Sequence, residues 1–323
     1  MISLDEFRQS ANRIRRNAIA GIYYAGSGHP GGSLSGVDVL TYLWKQELRG
    51  ISKSPDDLAR DRFVLSKGHA CPALYATAAE AGLVPFSLLA GLRKLGSPLQ
   101  GHPHVLDTPW VETSTGSLGQ GFSVAIGMAL GLRHLGGTGR VYVMLGDGEL
   151  QEGEVWEGAM CAAHHRLDNL CGVVDYNKMQ SDDLNANIMG LEPLRDKWQS
   201  FGWHVVEIDG HDFDQISRAF GKARETKGQP TMIIAHTVKG KGVSFMEGSP
   251  LWHGSVMLTS ENLARSLRDL GAGEEEIGRY LDGTIWDYGK WSASHRIQRG
   301  FSARGIWQGP GRPSRALPQF CRS

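Results

Sequence analysis

Val141-Tyr142-Val143-Met144-Leu145-Gly146-Asp147-Gly148-Glu149-Leu150-Gln151-Glu152-Gly153 joins an apolar, β-branched run to a helical pattern that starts near Glu152. Such a run reads as a buried strand, and a parallel sheet binds its ligands at the carboxyl ends of its strands. Gly146 and Gly148 let the backbone turn sharply and approach a ligand, while Asp147 between them offers a hard oxygen to a divalent cation. Further along, the apolar run Leu170 to Val174 ends at Asp175-Tyr176-Asn177. On a neighbouring parallel strand Asn177 would offer a second oxygen, and the pair reads as half of a metal-diphosphate site for Mg2+ or Ca2+. Asp-Gly is also the commonest two-residue hairpin turn. A helical pattern follows it here in place of a second strand, which argues against a hairpin.

Outward from this stretch, apolar runs alternate with amphipathic ones. Leu4, Phe7, Ala11, Ile14 and Ala18 recur at helical spacing, with Arg8, Arg13, Arg15 and Arg16 mostly off the apolar stripe and expected on a solvated face. A glycine-rich loop, Gly28-His29-Pro30-Gly31-Gly32, precedes the apolar segment Val37 to Trp44. Phe63 to Ser66 reads as a short strand delivering Lys67-Gly68-His69 to the same sheet edge. Cys71 to Ala81 and Phe86 to Leu95 read as helical. The irregular segment 96–112, with His102 and His104, has the length and composition of a functional loop. Gly116-Ser117-Leu118-Gly119-Gln120-Gly121 then opens a helix whose small residues allow close packing, within the chain or between subunits. Glu152 to Arg166 reads as a helix with acids in its first turn, and His164 and His165 on it point about 100° apart and read as surface. Trp203 to Ile208 is a strand, Asp214 caps a helix through Ala223, and Thr231 to Ala235 is a buried strand. The fold class expected is α/β, a doubly wound parallel sheet with helices on both faces, filling residues 1–282. From 283 to 323 the chain is basic and rich in Gly, Pro and Ser without amphipathic period, and is expected to be a poorly ordered tail.

The bulk properties narrow the function. The 323 residues carry 34 Lys and Arg against 34 Asp and Glu, so no global field favours nucleic acid or acidic lipid. No stretch reaches the roughly 18 apolar residues of a membrane span, and the start lacks a basic region followed by an apolar one. A cytoplasmic protein is expected. Cys71, Cys161, Cys171 and Cys321 lack C-x-x-C spacing and read as buried free thiols.

The GDG and Asn pair resembles the cofactor signature of thiamine diphosphate enzymes. From about Ser27 to about Asp282 the chain resembles the N-terminal half of transketolase, through the blocks Gly28-His29-Pro30-Gly31-Gly32, Ser66-Lys67-Gly68-His69, Gly101-His102-Pro103 and Thr115-Gly116-Ser117-Leu118-Gly119-Gln120-Gly121. The resemblance implies transfer of a two-carbon ketol unit from a ketose to an aldose, commonly as phosphates, with thiamine diphosphate supplying the electron sink. It assigns Asp147, Asn177 and the Met179 carbonyl to the metal, and His69, Gly148 and Asn177 to the diphosphate. Gly116 and Leu118 are assigned to the cofactor rings, and His29, His102 and His253 to the reacting carbons. Glu152 matches a carboxylate that links the two active sites across a dimer interface; a first-turn helix acid is its alternative.

The family also needs a carboxylic acid from a pyrimidine-binding domain, and about forty residues after the resemblance fades are too few for a domain of roughly 100–150. The chain is therefore expected to work only with a C-terminal-half partner subunit, two copies of each in a heterotetramer. Two other classes stand against this. A nicotinamide dehydrogenase needs G-x-G-x-x-G after a strand, and Gly116-x-x-Gly119-x-Gly121 has the wrong spacing. A non-catalytic or regulatory subunit with the thiamine diphosphate fold would not need Asp147, Asn177, His69 and His102 intact.

Overall fold

The computed structural model describes residues 2–181, 183–254 and 256–287. Five strands, β1 (Arg62–Leu65), β2 (Val141–Gly146), β3 (Leu170–Tyr176), β4 (His204–Asp209) and β5 (Thr231–His236), pair in parallel in the order β1-β2-β3-β5-β4. Strands β2, β3 and β5 lie inside the sheet and are buried almost end to end, which is why they read as continuous apolar runs. Edge strand β4 alternates with solvent at Glu207 and Asp209.

Successive side chains leave opposite faces of the sheet, so each strand feeds two cores. Tyr142, Met144, Cys171 and Val173 pack into one core, and Val141, Val143, Leu145, Leu170 and Val174 into the other. The first face is covered by α1 (Leu4–Ala25), α2 (Pro30–Ser35), α3 (Val37–Tyr42) and α4 (Cys71–Glu80). The second is covered by α5 (Gln120–His134), α6 (Gly153–His164) and, after the single turn α7 (Asn185–Ile188), by α8 (Leu194–Ser200). The chain then returns to the first face with α9 (Phe213–Glu225), α10 (Ser260–Asp269) and α11 (Glu274–Leu281). The doubly wound parallel sheet with helices on both faces is thus present.

Several local readings are corrected. Arg15 is not on a solvated face: it is buried, and its guanidinium meets the Asp38 carboxylate at 3.0 and 2.7 Å, so α1 turns a charge inward to bind α3. The cap of α9 is Asp212, whose side chain accepts from the amides of Asp214 and Gln215 at 2.9 and 3.1 Å. Phe86–Gly91 is a 3-10 turn, and α6 begins only at Gly153, after a 3-10 turn over Gly148–Gln151. The close packing foreseen for α5 occurs at Gly121, where an added methyl would stand 2.8 Å from the Ser66 Cα. Gly127 and Gly131 meet nothing within 4 Å.

Beyond residue 282 the chain does not leave the domain at once. Thr284–Asp287 is a 3-10 turn, and the buried Trp286 donates from its indole nitrogen to Asn17 Oδ1 at 3.1 Å. The rest of the expected tail, 288–323 with Cys321, lies outside the described residues. Cys71 and Cys171 are buried free thiols, whereas Cys161 is exposed. No helix among the described residues is long and apolar enough to cross a membrane.

Candidate functional site

Register decides what the sheet presents at its carboxyl edge. Gly146 stands opposite Asp175, and Tyr176 opposite His236, so Asp147, Asn177 and Thr237 leave three adjacent strands side by side. Asp147 is 2% exposed; it accepts the Gly148 amide at 2.8 Å on Oδ1 and the Lys178 amide on Oδ2. Burial, reinforced by the Asp175 charge, pushes its carboxyl up to about 7. Asn177 Oδ1 accepts the Met179 amide at 3.2 Å, and its Nδ2 lies 3.3 Å from Asp175 Oδ2. The Met179 carbonyl accepts from Lys239 Nζ at 3.1 Å.

Asp175 holds this arrangement from below. Its carboxylate is ion-paired with Lys67, which also donates to the Gly32 carbonyl at 2.9 Å, and it accepts from the hydroxyls of Ser35 and Thr237. Burial alone would raise the Asp175 carboxyl; the Lys67 ammonium and these donors override it and hold it below the usual value. One carboxylate therefore ties β1, α2, β3 and the segment after β5 to a common point. Glu149 does the same on the other side, accepting from Ser66 Oγ and, at 2.9 Å each, from the amides of Gly119 and Gly146. It joins the turn after β1 to the loop that opens α5.

Above the edge, the rings of His29, His69 and His253 lie 5.2 to 5.8 Å apart, centre to centre. Glycines allow their segments to meet: a methyl on Gly31 would stand 2.8 Å from the Trp252 carbonyl and 3.0 Å from Lys239 Cγ. Burial is the main cause that keeps all three imidazoles neutral. His29 is lowered to about 4 with help from Arg93, His253 to about 3 with help from Lys239, and His69 to about 2 with help from Lys67. Lys239 Nζ donates to His253 Nδ1 at 2.7 Å, so the ring proton of His253 sits on Nε2. Burial also brings Lys239 down to about 8.

The remaining expected residues surround this group. His102 is exposed and rests on Gly116, where an added methyl would meet its ring at 3.3 Å; burial and Arg93 lower its pKa. Gly116 and Leu118 are partly buried in the loop before α5, and Gly148 follows Asp147 directly. Glu152 is not part of the cluster: it is exposed at the N-cap of α6 and makes no capping bond. His164 and His165 are exposed at the far end of that helix.

Sequence reasoning did not single out Lys67, Asp175, Glu149, Arg93 or Lys239. The signals were at hand for some, since Lys67 lies inside Ser-Lys-Gly-His and Asp175 two residues before Asn177. Arg93 donates to Ser27 Oγ at 2.9 Å and lies 3.5 Å from His29 Nδ1. No group of three or more His, Cys, Asp or Glu suited to a metal occurs among the described residues. A cation here would rest on one carboxylate with amide and carbonyl oxygens, completed by ligand oxygens, which is the donor set of a diphosphate-bound Mg2+. Asp147, buried beside a second carboxylate, fits that role.

The chain is similar to several known proteins. A 6-deoxy-6-sulfo-D-fructose transketolase subunit of Clostridium sp. (strain MSTE9) is 45% identical over 267 residues, 82% of this chain and 96% of the relative. An apulose-4-phosphate transketolase subunit of Phocaeicola vulgatus is 36% identical over 282 residues, covering 87% of this chain and all of that one. Transketolase from Campylobacter jejuni superposes with a TM-score of 0.79 at 29% identity, over 88% of this chain but 48% of that structure. Residues 7–279 match the family described as transketolase, thiamine diphosphate binding domain. The chain belongs to the transketolase family and carries its thiamine diphosphate-binding domain.

Proposed function

We propose that this chain is the N-terminal subunit of a thiamine diphosphate-dependent transketolase that moves a two-carbon ketol unit from a ketose phosphate, or a related sugar, to an aldose. The observation that carries this is the convergence of Asp147, Asn177 and Met179 at adjacent strand ends beneath three neutral, touching histidines. Asp147, Asn177 and the Met179 carbonyl hold Mg2+, or Ca2+; His69, Gly148 and Asn177 hold the diphosphate, and Gly116 and Leu118 the cofactor rings. Thiamine diphosphate, when bound, supplies the electron sink for breaking a carbon–carbon bond. The chain's own part is to orient groups and move protons. His29, His102 and His253 are neutral at pH 7 and so can donate to or accept from sugar hydroxyls, His253 from its protonated Nε2.

The names of two relatives as subunits support a partner polypeptide as part of this reading; those relatives are matched over nearly their whole length, the Campylobacter transketolase over about half. The partner resembles the C-terminal half of transketolase, and a heterotetramer places the exposed Glu152 and the open α5 face at Gly127 and Gly131 near its two-fold axis. Free thiols and zero net charge are in keeping with a cytoplasmic enzyme that has neither nucleic-acid nor membrane partners.

The roles of two histidines separate by experiment. His102→Ala, at the exposed rim, lowers kcat by about 100-fold or more while cofactor Kd stays within about threefold. His69→Ala, deep beside Lys67, raises the cofactor Kd more than it lowers kcat at saturating cofactor. Calorimetric titration, and steady-state kinetics with the partner polypeptide present, check this on both variants, and equal losses in both parameters would refute the assignment.

A further inference from the structure

The loop after β3 folds back on itself. Met179 and Leu184 form an isolated antiparallel bridge, and the Asn185 amide donates to the Lys178 carbonyl at 2.9 Å, while the Lys178 amide donates to the Asp147 carboxylate. This brings residue 185 beside the Asp147-Gly148 turn: a methyl on Gly148 would stand 3.9 Å from Asn185 Oδ1. Asn185 is 3% exposed, and neither its Oδ1 nor its Nδ2 has a protein partner. Neighbouring Gln180 is already engaged, its Oε1 accepting from Gln151 Nε2 at 2.7 Å. A buried polar group left unpaired is destabilising, so the fold carries a carboxamide here that works against its own stability. Asn185 offers a donor and an acceptor side by side. A divalent ion on a diphosphate matches both, since a water on the ion donates and the diphosphate oxygens accept.

We propose that Asn185 is a further binding residue for the metal-diphosphate group, its carboxamide supplying a hydrogen-bond donor and an acceptor to that group when it is bound. The inference rests on the cofactor reading above and adds to it a residue from the turn α7. It predicts opposite changes in two measurements. Asn185→Leu keeps the branched outline of the side chain and removes both polar atoms, so thiamine diphosphate titrated in excess Mg2+ binds at least about 10-fold more weakly. The melting temperature of the cofactor-free chain is unchanged or higher, because the interior loses unpaired polar atoms. Asn185→Asp, which sets a carboxylate against the diphosphate, weakens binding further. A cofactor Kd equal to that of the unaltered chain in Asn185→Leu overturns the proposal, as does a lowered melting temperature with unchanged Kd, the mark of a structural asparagine. If the leucine variant does not fold, Asn185→Ala is judged by the same Kd. Failure of the unaltered chain to bind thiamine diphosphate with Mg2+ would instead sink the cofactor reading, and this proposal with it.

Discussion

Asp147→Ala abolishes Mg2+-dependent binding of thiamine diphosphate, with an expected loss in affinity of more than about 100-fold. The carboxylate is the only charged oxygen in the proposed donor set, and Asn177 and the Met179 carbonyl are neutral. Its surroundings favour a cation strongly. Burial and the nearby Asp175 make the ionised form of Asp147 costly in the cofactor-free chain, and a divalent ion removes that cost. For the same reason the fold does not depend on Asp147. The variant gives up two hydrogen bonds, from the Gly148 and Lys178 amides, and in exchange loses a buried carboxyl. Circular dichroism should therefore be unchanged. Asp147→Asn keeps an oxygen without the charge and falls between the two. Full cofactor affinity in the folded alanine variant would refute the metal assignment.

Lys67→Met has its largest effect on stability. The ammonium and the Asp175 carboxylate are each about 2% exposed or less, and methionine leaves that carboxylate buried with only neutral donors, Ser35, Thr237 and Asn177. Breaking such a pair from one side costs about 3–5 kcal/mol, a fall in Tm on the order of 10 °C. Because the cost lies in the stranded charge, Lys67→Met combined with Asp175→Asn recovers much of it, and the double-mutant cycle shows strong coupling. A Tm within about 2 °C of the unaltered chain for Lys67→Met would contradict the picture of Asp175 as the tie between four segments.

The edge of the sheet was legible because local signals and global fold agree there. Strands β2, β3 and β5 announce themselves as apolar runs since both their faces are buried, and Asp147 and Asn177 follow such runs directly. The buried ion pairs were not legible. Arg15 has the spacing of a solvated residue, and only the approach of α3 with Asp38 turns it inward. Lys239, Glu149 and Arg93 acquire their partners from segments distant in the chain, His253, Gly119 and Ser27, so no local pattern marks them. Asp212 and Asp214 are equally good caps by residue type; the backbone decides between them. Glu152 shows the opposite case, a residue identified through family resemblance that stays exposed in the single chain.

Whether this chain is half of an enzyme is tested most directly by following ketol transfer. The purified chain is assayed with thiamine diphosphate and Mg2+, alone and then titrated with a polypeptide carrying the pyrimidine-binding and C-terminal domains of a transketolase. The predicted result is no turnover by the chain alone and activity that rises with the partner until the two are equimolar. Full turnover by the isolated chain, proportional to its own concentration and indifferent to the partner, would contradict it.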